Sequence, residues 1–187
     1  MVAIVIPAYT EGKRISSVLR AAVASKLADE ILVVSDASRD RTVEVARRFD
    51  GVRVLELPFN MGKGGAMSAG VAATKADIIV FVDADLRGLR GEHIDQIVRP
   101  LLDKSCDMGI GVFRGGKFWS DTAQRISPYI SGQRAMKRSL FESIPFLGEI
   151  RMGVEVTINT YAKRSRARIL RVVLRAASNP HKEREMG

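Results

Sequence analysis

Apolar residues along the first 112 positions follow two alternating patterns. Short apolar runs at Val2–Ile6, Ile31–Val34, Val52–Leu55 and Ile78–Val82 predict strands, and Asp107–Phe113 has the same character. Between them, Ile15, Val18, Leu19, Ala22 and Val23 recur at helical spacing, and Asp40–Phe49, the Ala-rich Lys63–Thr74 and His93–Asp103 predict further helices. Strands alternating with helices imply an α/β fold with a mainly parallel central sheet flanked by helices. After residue 113 the pattern loosens. Gly115–Asp121 reads as loop, Arg134–Ser143 and Gly153–Lys163 as helices, and Ile169–Leu174 as a late strand. With no linker and no repeat, 1–187 reads as a single domain.

Composition narrows the class. A chain of 187 residues with 46% hydrophobic and 27% charged residues is of ordinary globular type, large enough to bury roughly 70% of its unfolded surface. No apolar stretch approaches the ~20 residues of a bilayer span. The VAIVIP run has neither a basic leader nor a small-residue cleavage site, so it reads as a strand. The single Cys106 excludes an internal disulfide and fits a reducing, cytoplasmic setting.

Charge divides the chain. Residues 1–112 carry 15 basic and 15 acidic residues, whereas residues 113–187 carry 15 and 6, which accounts for the whole net charge of +9. A basic half beside a neutral one implies an anionic partner such as phosphate groups, an acidic membrane surface or nucleic acid, or simply a solvated face.

Chemistry gathers where the strands end. Ile78–Val82 runs into Asp83-Ala84-Asp85, at the carboxyl edge where open α/β sheets bind ligands. Two carboxylates there suit a hard divalent cation shared with substrate phosphates, or they merely end a strand and start a turn. The first strand ends in Pro7-Ala8-Tyr9-Thr10-Glu11 and the second in Ser35-Asp36-Ala37-Ser38-Arg39-Asp40-Arg41-Thr42. Asn60-Met61-Gly62-Lys63-Gly64-Gly65-Ala66 opens a helix whose free amides, with one lysine, would attract an anion. It lacks P-loop spacing, and no GxGxxG follows the first strand, which argues against a dinucleotide fold.

In this order PAYTE, SDASRDRT, NMGKGGA and VDADL resemble the family 2 glycosyltransferases, with their usual P-x-Y-N-E, D-D-G-S-x-D-x-T, N-x-G-K-x-x-A and D-x-D runs. The resemblance implies the GT-A fold, a Rossmann-like nucleotide-diphospho-sugar transferase fold. Residues 1–112 would form the nucleotide-sugar half and 113–187 the basic acceptor half. It implies that Pro7, Ala8, Tyr9 and Glu11 line the nucleoside pocket and that Asp36 accepts a hydrogen bond from the base. Lys63 would lie near the base and phosphates and Asp83 would face the ribose, with Gly62 and Ala84 also among the nucleotide-sugar-binding residues. Asp85 would bind Mg²⁺ or Mn²⁺ bridging the diphosphate. Thr10, Ser35 and Ala37 depart from the usual Asn, Asp and Gly.

Ser131-Gly132-Gln133-Arg134-Ala135-Met136-Lys137-Arg138 resembles the S-G-x-R-x-M-x-R run of polyprenyl-phosphate transferases, which implies that Arg134, with Lys137, meets an acceptor phosphate. Gly153-Val154-Glu155 resembles the G-x-E segment of relatives that include glucosyl-3-phosphoglycerate synthases. Glu155, with Glu149 behind it, is the candidate base for a hydroxyl acceptor. His181, in Asn179-Pro180-His181-Lys182, corresponds to a histidine that completes the metal site in the phosphoglycerate type. His93, at a helix start, reads as structural or solvent-exposed.

The expectation is therefore a metal-dependent glycosyltransferase acting from a UDP-sugar onto a phosphate-bearing acceptor. A polyprenyl phosphate would bring peripheral association with the inner face of a membrane. A phosphoglycerate-type acceptor is the alternative, although Lys137 stands where those enzymes have a Thr. Outside this class stand a non-catalytic member of the fold, a sugar nucleotidyltransferase lacking its GxGxRL loop, and a nucleic-acid-binding domain. Only 6% of residues are aromatic, too few for a stacking platform, so no nucleic acid is expected. A homodimer is compatible with everything above.

Overall fold

The computed structural model describes residues 1–114 and 133–175. Seven strands form one sheet: β1 (Val2–Ala8), β2 (Glu30–Ser35), β3 (Val52–Glu56), β4 (Ile78–Phe81), β5 (Met108–Arg114), β6 (Arg134–Lys137) and β7 (Ile169–Arg175). Their order is β3-β2-β1-β4-β6-β5-β7. All run parallel except β6, which lies antiparallel between β4 and β5.

Strand period two sorts the core into two layers. Val2, Ile4 and Ile6 of β1, with Ile31 and Val33 of β2, face helices α1 (Ile15–Val23), α2 (Thr42–Ala46) and α4 (Gly91–Leu102). Ala3, Val5, Leu32 and Val34 face the opposite layer of α3 (Gly62–Ala72), α5 (Arg138–Glu142) and α6 (Val154–Arg164). The central strands are therefore apolar on both sides, which is why their runs are continuous.

Arg134–Ser143 departs from the expected single helix. Its first four residues are β6 and only Arg138–Glu142 is helical. The strand is fixed by pairing on both flanks, with Phe81 opposite Arg134 and Ile78 opposite Lys137. Local spacing cannot reveal such pairing.

Two glycines let residues 147–151 lie on the start of α3. Gly62 has φ +79°, and a Cβ there would stand 2.8 Å from the Arg151 Cα. A Cβ on Gly64 would stand 2.3 Å from the Leu147 carbonyl and 2.4 Å from that of Ile150. His93 is buried and accepts a hydrogen bond from the Arg90 amide at 3.2 Å, so it serves the start of α4. No helix among the described residues is long and apolar enough to cross a membrane.

Candidate active site

The carboxyl ends of β1, β2 and β4 open onto one cleft of about 320 Å³, lined by Pro7, Ala8, Tyr9, Glu11, Asp36, Lys63, Ala66, Asp83, Ala84 and Asp85. Adjacent parallel strands bring their final residues together, so polar groups scattered from Tyr9 to Asp85 meet at one edge. Because β6 is reversed, its first residue Arg134, and Gln133 just before it, arrive at this same edge.

Lys63 is the centre of the charge arrangement. Its Nζ donates to Asp83 Oδ1 at 2.6 Å and to Glu155 Oε1 on the first turn of α6. Burial opposes the ammonium charge, but the charges and hydrogen bonds of Asp83 and Glu155 outweigh it and raise the pKa above the usual lysine value. Gln133 Nε2 donates to Asp83 Oδ2 at 2.8 Å, so both oxygens of that carboxylate are fixed in place. Arg134 is fully buried beneath them, with Nη1 donating to Asn159 Oδ1 at 3.1 Å and to the Glu155 carbonyl at 3.4 Å. Burial pushes its guanidinium down to about 10, against the pull of Glu155 and Asp83.

Asp36 has a different environment. Its Oδ1 accepts the Met61 amide at 2.6 Å and its Oδ2 the Gly62 amide at 2.9 Å. The Gly64 amide goes to the Ile150 carbonyl at 3.1 Å. This corrects the expectation that the glycine-rich helix start offers free amides to a ligand anion. The anion it holds is the protein's own Asp36 carboxylate, and Gly62 does not line the cleft. Asp40 acts at the start of α2, accepting the Thr42 amide at 3.0 Å and the Gly12 amide at 2.9 Å.

The departures from the familiar motif residues now have a physical setting. Thr10 has φ 58° and Ala37 φ 56°, both left-handed. Asn and Gly adopt that conformation readily, whereas Thr, being β-branched, and Ala do so at a cost.

Lys137 must be removed from the acceptor group. It lies at the opposite end of β6 from Arg134, across from the first residue of β4, and its Nζ donates to Asp107 Oδ1 at 2.6 Å. A strand alternates faces and advances about 3.3 Å per residue, so the two residues serve opposite edges of the sheet. Glu149 is exposed, on a 3₁₀ turn. His181, the Ser131-Gly132 pair and the Gly115–Asp121 loop lie outside the described residues.

Three residues escaped the sequence reading. Ala66 lines the cleft one turn beyond Lys63, where only a small side chain fits against the sheet. Gln133 directly precedes Arg134, and its polar side chain was a visible signal. Arg14 Nε stands 3.3 Å from Glu11 Oε2, and its Nη1 stands 3.7 Å from Asp85 Oδ2. Its three-residue spacing from Glu11 at a helix start was the available clue.

Asp85 is nearly buried at the cleft wall. Among the described residues no three His, Cys, Asp or Glu side chains converge on one point. The donor set suits a hard cation that takes one or two carboxylates and completes its shell with phosphate oxygens and water.

Comparison with known proteins gives a consistent picture. The family described as Glycosyl transferase family 2 matches residues 3–160. A dolichyl-phosphate beta-glucosyltransferase of Trichomonas vaginalis is 38% identical over 94 residues, covering 43% of this chain and 28% of that protein. A glucosyl-3-phosphoglycerate synthase of Mycobacterium tuberculosis is 28% identical over 86% of this chain and 60% of its own length. The crystal structure of that synthase with Mn²⁺, UDP and glucosyl-3-phosphoglycerate matches with a TM-score of 0.80 at 28% identity, covering 96% of this chain and 71% of the other. A second structure of it holds Mg²⁺ and UDP. The chain spans less than two thirds of the length of these curated relatives.

Proposed function

The chain belongs to glycosyl transferase family 2, and from that premise we propose that it is a metal-dependent glycosyltransferase carrying a sugar from a UDP-sugar to a phosphate-bearing acceptor. The observation that carries this reading is the convergence of Glu11, Asp36, Lys63, Asp83 and Asp85 on one cleft. The UDP, Mn²⁺ and Mg²⁺ held by the mycobacterial synthase support the donor and the cation. The acceptors named in its relatives, dolichyl phosphate and phosphoglycerate, both carry phosphate.

Each residue has a task that follows from its setting. A divalent cation on Asp85 supplies neutralisation of the charge that builds on the leaving nucleoside diphosphate. Asp83, held through both oxygens by Lys63 and Gln133, presents its remaining lone pairs to a ribose hydroxyl in one orientation. Lys63 supplies a fixed cation beside the phosphates, and Glu155 and Asp83 keep it charged. Arg134 acts through its field from beneath the acceptor side, since its guanidinium is buried. A polyprenyl phosphate arrives with an ionised nucleophilic oxygen, so Glu155 then only positions Lys63. The phosphoglycerate-type reading, supported by the match of 96% of this chain to the synthase structure, gives Glu155 the task of accepting a hydroxyl proton.

Calorimetric titration of UDP with and without Mn²⁺ tests the reading. Binding should require the cation and weaken at least about tenfold in Asp85→Ala. Equal affinity in that variant would remove Asp85 from the metal site. Offering radiolabelled UDP-glucose to a detergent-solubilised polyprenyl phosphate and to 3-phosphoglycerate in parallel separates the two acceptors by the solubility of the product.

A further inference from the structure

Arg14 occupies a position that the nucleotide and acceptor roles do not use. It stands at the start of α1, and its own amide is bonded to the Glu11 carbonyl at 2.9 Å. Its guanidinium lies between two carboxylates of the cleft wall, with Nε 3.3 Å from Glu11 Oε2 and Nη1 3.7 Å from Asp85 Oδ2. The backbone around it is fixed to the loop that carries Asp85, because Ser17 Oγ donates to the Leu86 carbonyl at 3.0 Å. The Arg14 side chain is 36% exposed, against 18% for Glu11 and 11% for Asp85. A cation on a long stem therefore reaches in from solvent to two carboxylates that cannot leave.

We propose that Arg14 is the resident cation of the metal position: it neutralises Glu11 and Asp85 when no divalent ion is bound, and a divalent ion competes with it for Asp85. This rests on the reading of Asp85 as the metal ligand. Two carboxylates that flank one guanidinium are both stabilised in their charged form by it. The guanidinium makes long, partly solvated contacts, and with 36% of its side chain exposed Arg14 has solvent into which a competing ion can displace it. A dication at Asp85 would face the guanidinium at short range, and like charges at that distance oppose one another. The metal therefore has to displace Arg14, which lowers metal affinity in the absence of nucleotide. Arriving diphosphate oxygens supply the extra negative charge that reverses the balance. Arg14 is thus a positioning residue that makes metal retention depend on the donor.

The test is a titration of Mn²⁺ alone, following the free-ion paramagnetic resonance signal, in wild type, Arg14→Gln, Arg14→Lys and Asp85→Ala. Arg14→Gln should bind Mn²⁺ roughly three- to tenfold more tightly than wild type. Arg14→Lys, which keeps the charge, should stay within about twofold of wild type. The sign is diagnostic, because a variant that merely loosened the site would bind the ion more weakly. Equal or weaker binding by Arg14→Gln, with binding still dependent on Asp85, overturns the role of Arg14 alone. Mn²⁺ binding that survives Asp85→Ala overturns the metal assignment and this inference together.

Discussion

Lys63 and Glu155 stand 92 positions apart in the chain and share a hydrogen bond. The same ammonium holds Asp83, so one lysine joins the end of β4, the start of α3 and the start of α6. Lys63→Met would leave Asp83 and Glu155 facing each other without their cation. Folding stability should fall by about 1–3 kcal/mol, moderated by the solvent that reaches this side chain. UDP affinity should fall by about tenfold or more, since a charged partner of the phosphates is lost. Urea unfolding and UDP titration measure the two effects separately.

The left-handed residues Thr10 and Ala37 make an opposite prediction. Ala37→Gly should stabilise the protein by about 0.5–1 kcal/mol, because glycine adopts this backbone without strain. Thr10→Asn should act in the same direction, as Asn tolerates the left-handed region and a β-branched residue does not. For a chain of this size each kcal/mol is worth roughly 2–4 °C in melting temperature. An unchanged or lower melting temperature in both variants would contradict the backbone assignment.

Gly64→Ala sets two effects of opposite sign against each other. Alanine is favoured over glycine inside a helix by about 1 kcal/mol. The new methyl would have to occupy space 2.3 and 2.4 Å from two backbone carbonyl oxygens, which belong to fixed chain and not to a flexible side-chain tip. Overpacking of this kind costs about 1–3 kcal/mol or more. The variant should therefore be less stable than wild type by urea midpoint, and the seating of residues 147–150 on α3 should be lost first.

Asp107 gives a pH prediction at the edge far from the cleft. The hydrogen bonds of Arg168 and Lys137 hold its carboxyl well below the ordinary aspartate range. A depressed folded-state pKa contributes stability that is complete above the unfolded value, near 4, and is lost as pH falls through the folded value. Asp107→Asn should thus cost about 1 kcal/mol at pH 7, a modest figure because its partners reach into solvent. The cost should shrink progressively below about pH 4. Urea midpoints of the two proteins at pH 7 and pH 3 should show the gap narrowing. UDP affinity at pH 7 should be unchanged.

The fold was legible wherever one strand or helix carried its own pattern. The continuous apolar runs of β1, β2 and β4 announce strands buried on both faces, and the carboxylates at their ends announce the cleft. Arg134-Ala135-Met136-Lys137 was illegible for a physical reason: four residues hold no period, and both the strand and the burial of an arginine are imposed by neighbours on either side. Lys63 was readable as a site residue, but its bond to Glu155 was not, since nothing local relates positions so far apart. Asp36 shows a third case. Its place at the cleft was legible, whereas the consumption of its carboxylate by Met61 and Gly62 amides depends on how the next loop returns.

The reversed strand β6 carries one more implication. The basic excess of the chain begins after residue 112, yet the sheet does not divide there. β4 finds its outer neighbour only in β6, and β5 pairs with β6 and β7, never with β4. A fragment cut after residue 112 would carry the residues that line the cleft, but it would bare the four-residue apolar flank of β4 and leave β5 without a partner. Such a raw edge invites pairing with other chains. The two halves differ in the chemistry they carry, but the second completes the scaffold of the first, so the nucleotide half should self-associate when expressed alone.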